Sequence, residues 1–173
     1  MVSYFSEEIF TRLRKELQRP LLILALLDEV SIELAEEVTG MDGIGAELLR
    51  LVEGNYFVRH LDRSDRIFGF HHLFQAFLRE RALRELEPES VRELFRKAAA
   101  HSRARKRAAQ ALRYYLKTED FEAMEKLLAE EGMTFFANNQ TATLASILGK
   151  IPGEALEKAR LVALLCRPGE HGQ

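Results

Sequence analysis

Apolar residues recur at helical spacing over most of this chain and switch to strand-like alternation in one place. Tyr4, Phe5, Ile9, Phe10 and Leu13 supply the apolar side of a first helix that Ser3 or Ser6 can cap. Pro20 suits the first turn of a second helix, whose run Leu21 to Leu27 is apolar on every side and predicts a buried central position. Ser31 caps a third helix over Ile32 to Thr39, Gly40 stops it, and Met41-Asp42-Gly43 makes a turn. A fourth runs from about Ile44 to Glu53, with Leu48, Leu49 and Val52 as its stripe, and Gly54-Asn55 ends it. Two short strands follow. Phe57, Arg59 and Leu61 share one face of the first, Phe68 and Phe70 one face of the second, and Asp62-Arg-Ser-Asp65 is the polar turn between. Helix, turn, helix and a two-stranded wing is winged-helix order. From His72 the helical pattern returns, with Leu73, Phe74, Phe77 and Leu78 facing one way, until Glu87-Pro88 breaks it.

The second half reads as helical hairpins. Val91, Leu94, Phe95, Ala98 and Ala99 make a full amphipathic match, and Ala108, Ala109, Leu112, Tyr115 and Leu116 follow with similar spacing. Thr118 caps the next stripe, Phe121, Met124, Leu127 and Leu128, and Gly132, Gly149 and Pro152-Gly153 punctuate two shorter helices. Small alanines against large aromatics suit a tetratricopeptide-like array, although no strict repeat of about 34 residues is present. The predicted fold is therefore mainly α: a winged-helix domain with one small β-hairpin over residues 1–87, antiparallel helical hairpins over 88–165, and a flexible tail over 166–173.

Composition changes this picture in three ways. Hydrophobic content of 47% in 173 residues is enough for one packed domain or two small ones. The longest apolar run, Leu21 to Leu27, is far short of the roughly 20 residues that cross a bilayer. A single Cys166 excludes an internal disulfide framework and fits a reducing cytoplasm. The net charge of −2 hides an asymmetry, since residues 1–87 carry 11 Lys and Arg against 16 Asp and Glu, and residues 88–173 carry 14 against 11.

That asymmetry bears on nucleic acid. Residues 31–53, where a helix-turn-helix would read DNA, hold Glu33, Glu36, Glu37, Asp42, Glu47 and Glu53 against Arg50 alone. Phosphate contacts dominate DNA affinity and need cations, so this face should repel a duplex, and Arg59, Arg63 and Arg66 of the wing are too few to compensate. The strongest basic cluster, Arg103 to Arg107, has no interleaved aromatics and reads first as a solvated turn between helices. No catalytic constellation is visible. His60, His71 and His72 lack the spacing and carboxylate partner of a metal site.

The segments Tyr56-Phe-Val, Phe70-His-His-Leu-Phe-Gln-Ala-Phe-Leu-Arg79, Leu94-Phe-Arg-Lys-Ala-Ala, Ala108-Ala-Gln-Ala-Leu and Asp120-Phe-Glu-Ala-Met-Glu-Lys-Leu-Leu stand in this order. Together they resemble the MalT-like large LuxR-type regulators, which are ATP-dependent transcription activators of the STAND class. The likeness runs over roughly residues 4–165. It implies a middle segment comprising the winged-helix domain and the start of the helical sensor arm. A nucleotide-binding domain precedes it in such proteins and a DNA-binding helix-turn-helix comes last. The resemblance also implies that this segment is no enzyme and holds no cofactor itself. ATP or ADP, and any slow ATPase activity, would belong to the longer protein. Its partners would be the nucleotide-binding domain of the same chain and an inducer or protein on the helical arm, with no direct DNA or membrane contact.

One residue is singled out by the likeness. Phe70-His71-His72 aligns with a Met-His-Asp-like motif whose histidine contacts the β-phosphate of bound ADP in STAND ATPases. His71 is thus a candidate ADP phosphate sensor, and an imidazole at a helix start suits an anion. The competing reading is a histidine that closes the wing and packs. His72 stands where the motif carries Asp, so its role is open. Two other functions stay in view, a free-standing winged-helix DNA-binding regulator and a helical interaction scaffold.

Overall fold

A computed structural model describes residues 2–54, 57–62, 64 and 66–153. The order is α1 Val2–Arg12, α2 Lys15–Ala25, β1 Val30–Ser31, α3 Ile32–Thr39, α4 Ile44–Glu53, β2 Val58–Asp62, β3 Ile67–Phe70 and α5 His72–Glu85, followed by α6 Pro88–Ala104, α7 Ala108–Lys117, α8 Phe121–Ala137 and α9 Thr141–Leu148. This is the mainly helical fold with a winged-helix half and a hairpin half that the pattern predicts. The expected tail at 166–173, the helical reading of 154–165, Cys166, and the turn residues Arg63 and Asp65 lie outside the described residues. The chain divides into two compact units, Met1–Lys97 and Ala98–Gln173, and the division falls within α6.

In the first unit the sheet has three strands, in the order β1-β3-β2, where the sequence predicts two. All pairings are antiparallel. Val30 lies opposite Phe68 and Ser31 opposite Ile67, while Val58 lies opposite Phe70 and His60 opposite Phe68. Two residues are too few to display an alternation, so β1 is created by pairing with β3 and not by its own pattern. Ser31 also caps α3, its hydroxyl accepting from the Leu34 amide at 3.2 Å. At the other end Gly40, at φ +64°, supplies the left-handed residue that closes the helix.

Several faces differ from the periodic reading. Helix α2 starts at Lys15, so Pro20 lies inside it. The bond that proline forfeits would have gone to the carbonyl of Glu16, an exposed residue that water can serve. The buried stripe of α4 is Ile44, Leu48 and Leu51, while Leu49 is exposed. Phe57 precedes the strand, at φ +62°, so β2 begins at Val58 and Phe57 leaves the face expected to hold it with Arg59 and Leu61. Val58 is buried, Arg59 and Leu61 face outward, and Leu61 folds over Gly69 so closely that a Cβ there would meet its Cδ1 at 2.9 Å. On α5 the core residues are Phe74, Leu78 and Ala82, and Leu73 is exposed.

The exits of two early helices are closed by side chains from a later element. The last carbonyls of a helix have no partner within it. For α1, Gln18 Nε2 donates to the carbonyls of Phe10 and Leu13, each at 3.2 Å. For α2 the donors come from some fifty residues away, on α5. Gln75 Nε2 reaches the Ala25 and Leu27 carbonyls at 3.2 and 2.9 Å, and Arg79 Nε reaches Ala25 at 2.7 Å while its Nη2 meets Asp28 at 2.8 Å. Residues 75 and 79 are one helical turn apart, so both project to the same place. Arg81 of the same helix lies over the Phe10 ring at 4.5 Å and pairs with Glu85.

In the second unit, α7, α8 and α9 pack on one another, with Ala111, Leu112, Tyr114, Met124, Leu127, Phe135 and Ile147 buried. Thr118 ends α7, its hydroxyl donating back to the Tyr115 carbonyl at 3.0 Å, and Asp120 caps α8 by accepting from the Ala123 amide at 3.1 Å. Gly132 is buried within a continuous α8 and does not punctuate it. Helices α6, α7 and α8 exit through the same backbone device. Lys106, Glu119 and Asn139 take left-handed φ values of 57°, 55° and 56°. The residue after each sends its N–H five positions back, Arg107 to Ser102, Asp120 to Tyr115 and Gln140 to Phe135, at 2.9, 3.0 and 2.7 Å. These are Schellman exits without glycine. Relief of left-handed strain leads us to expect Lys106→Gly and Glu119→Gly each to stabilise the chain by about 0.5–1 kcal/mol. The readout is the urea midpoint, and a lowered midpoint for both would contradict this account.

Candidate functional site

His71 sits where β3 hands over to α5. Its amide donates to the Phe57 carbonyl at 2.7 Å, tying it to the start of the wing, and its own carbonyl accepts the first bond of the helix from Gln75 at 2.8 Å. It is therefore the N-cap of α5, yet its side chain makes no capping bond and the first turn carries no acid. The free amides of that turn leave a partial positive charge at the helix start. The His71 ring packs edge-on to Phe57, at 5.9 Å, and lies 4.5 Å from the ring of His72, which is exposed. Its Nδ1 is buried and has no hydrogen-bond partner among the described residues.

Beside it is a cavity of about 320 Å³, lined by Phe5, Ser6 and Ile9 of α1, Phe57, and His71, Leu73 and Phe74. Phe57 is central to this wall. It meets Phe5 edge-on at 5.8 Å and Phe74 at 5.8 Å, and it holds a left-handed backbone that a bulky residue rarely adopts. Such a conformation persists only where its surroundings over-determine it, and here the His71 amide and three aromatic rings do so.

The third histidine goes elsewhere. His60 packs on Phe68 at 4.8 Å within the sheet, and its Nδ1 is also buried without a partner. Among the described residues no group of three His, Cys, Asp or Glu could hold a metal ion. No helix among them is long and apolar enough to cross a membrane.

Helix α4 holds its one cation beside an acid. Arg50 pairs with Glu47 at 2.9 Å, and Arg14 forms an ion pair with the same carboxylate. The hydrogen bond from Arg14 holds the Glu47 carboxyl below its ordinary range, against the opposing effect of burial. In the second unit, Arg103 of the basic run is paired with Glu130 across to α8.

Residues 6–91 match the family described as the MalT winged helix domain. The chain carries a MalT winged-helix domain. The resemblance to MalT-like regulators seen in the sequence holds beyond that domain. Over 162 residues, 94% of this chain, it is 29% identical to the HTH-type transcriptional regulator MalT of Serratia proteamaculans. It is 28% identical over 162 residues to that of Yersinia enterocolitica and 27% over 153 to that of Vibrio campbellii. It spans only 17–18% of the length of these relatives.

Within the MalT winged-helix domain, the geometry brings His71 and His72 together with an uncapped helix start. It adds Phe57, Gln75 and Arg79, which periodicity did not single out as site or scaffold residues. Gln75 and Arg79 stood inside the motif that carries the resemblance. Their i, i+4 spacing on a helix was the available signal, but their acceptors lie on α2 and could not be read locally.

Proposed function

We propose that this chain is a signal-relay segment of a MalT-type, ATP-dependent transcription regulator working in the cytoplasm, and that His71 reads ADP held by a nucleotide-binding domain of the same protein. The observation that carries this reading is the start of α5. An imidazole occupies the N-cap, the helix amides behind it are uncapped, and no acid stands in the first turn to repel phosphate. With Nδ1 buried, Nε2 is the nitrogen that would donate to the phosphate. The helical hairpins of the second unit would pass on the binding of an inducer or a protein partner. The segment senses and relays; it carries out no chemistry of its own.

The alternative of a DNA-reading winged helix is disfavoured by α4. Its one cation, Arg50, stands beside Glu47 in a surface otherwise rich in acids, which disfavours approach of a phosphate backbone. The isolated chain is expected to show no salt-sensitive duplex binding at micromolar concentration in a gel-shift titration. A shift that weakens steeply with salt, and disappears on Arg50→Ala, would instead make this domain the DNA reader.

A further inference from the structure

We draw no further inference here: the strongest candidate, the cavity of about 440 Å³ between α2, α3 and α6, sets Arg19 and Lys97 against Glu89 and Glu93 around Ile23 and Leu94, so the charges on its walls balance and nothing in the structure shows what would occupy it.

Discussion

Arg79→Ala is expected to destabilise the winged-helix unit by about 1.5–3 kcal/mol. The side chain does two things at the end of α2. It donates to the Ala25 carbonyl at 2.7 Å, and it places a cation at the negative end of the helix. Ala25 and Leu27 are fully buried, so without Arg79 their carbonyls depend on Gln75 alone, with no water to take its place. Gln75 shares the same two acceptors, and Gln75→Ala should cost less, about 1–2 kcal/mol. The double variant should cost more than the two single losses together, because either side chain alone still serves the pair of carbonyls and only the double loss strands them. Arg79→Lys should recover only part of the loss, since an ammonium cannot reach Ala25 and Asp28 at once with a planar fork. Urea unfolding, followed by circular dichroism, measures all four. A loss below about 0.5 kcal/mol for Arg79→Ala would mean that the α2 carbonyls find other partners and that the clamp is not what joins α5 to α2.

The second large effect concerns His71 in a full-length regulator that carries the nucleotide-binding domain. There, His71→Ala is expected to weaken ADP affinity about tenfold and to shift the protein toward its active state. A contact made only in the ADP-held state biases the equilibrium by its own free energy, and one charge-assisted hydrogen bond contributes about 1.5–3 kcal/mol. A packing histidine makes a different prediction. The ring touches Phe57, so its removal would then lower the melting temperature and leave ADP affinity alone. Measuring ADP affinity beside thermal stability, for His71→Ala and for the exposed neighbour His72→Ala, separates the two. Lower stability with unchanged ADP affinity would remove His71 from the sensor role.

Much of the molecule was legible along the chain because its elements are long and amphipathic. Ser31 and Gly40 bracket α3 with side-chain and backbone chemistry that acts within one turn, and such signals need no partner. Pro88 starts α6 for the same kind of reason. The position of His71 at the entrance to α5 was also readable, since strand alternation changes to helical spacing there.

Where local signals were weak or misleading, long-range packing decided. The start of β2 turned on a single residue, Phe57, whose left-handed backbone takes it out of the strand. The exits at Lys106 and Glu119 carry no glycine, so the pattern offered nothing to mark them. Gly132 reads as a stop by propensity but lies buried in α8, because packing along a 17-residue helix outweighs a cost of about 1 kcal/mol. Propensity and period act over a few residues, and they determined the helices, the winged-helix order and the family likeness. Contacts between residues far apart in the chain are invisible to them. The three-stranded sheet, the grip of Gln75 and Arg79 on α2 and the aromatic cavity beside His71 exist only because the tertiary fold brings α1, α2, the wing and α5 together.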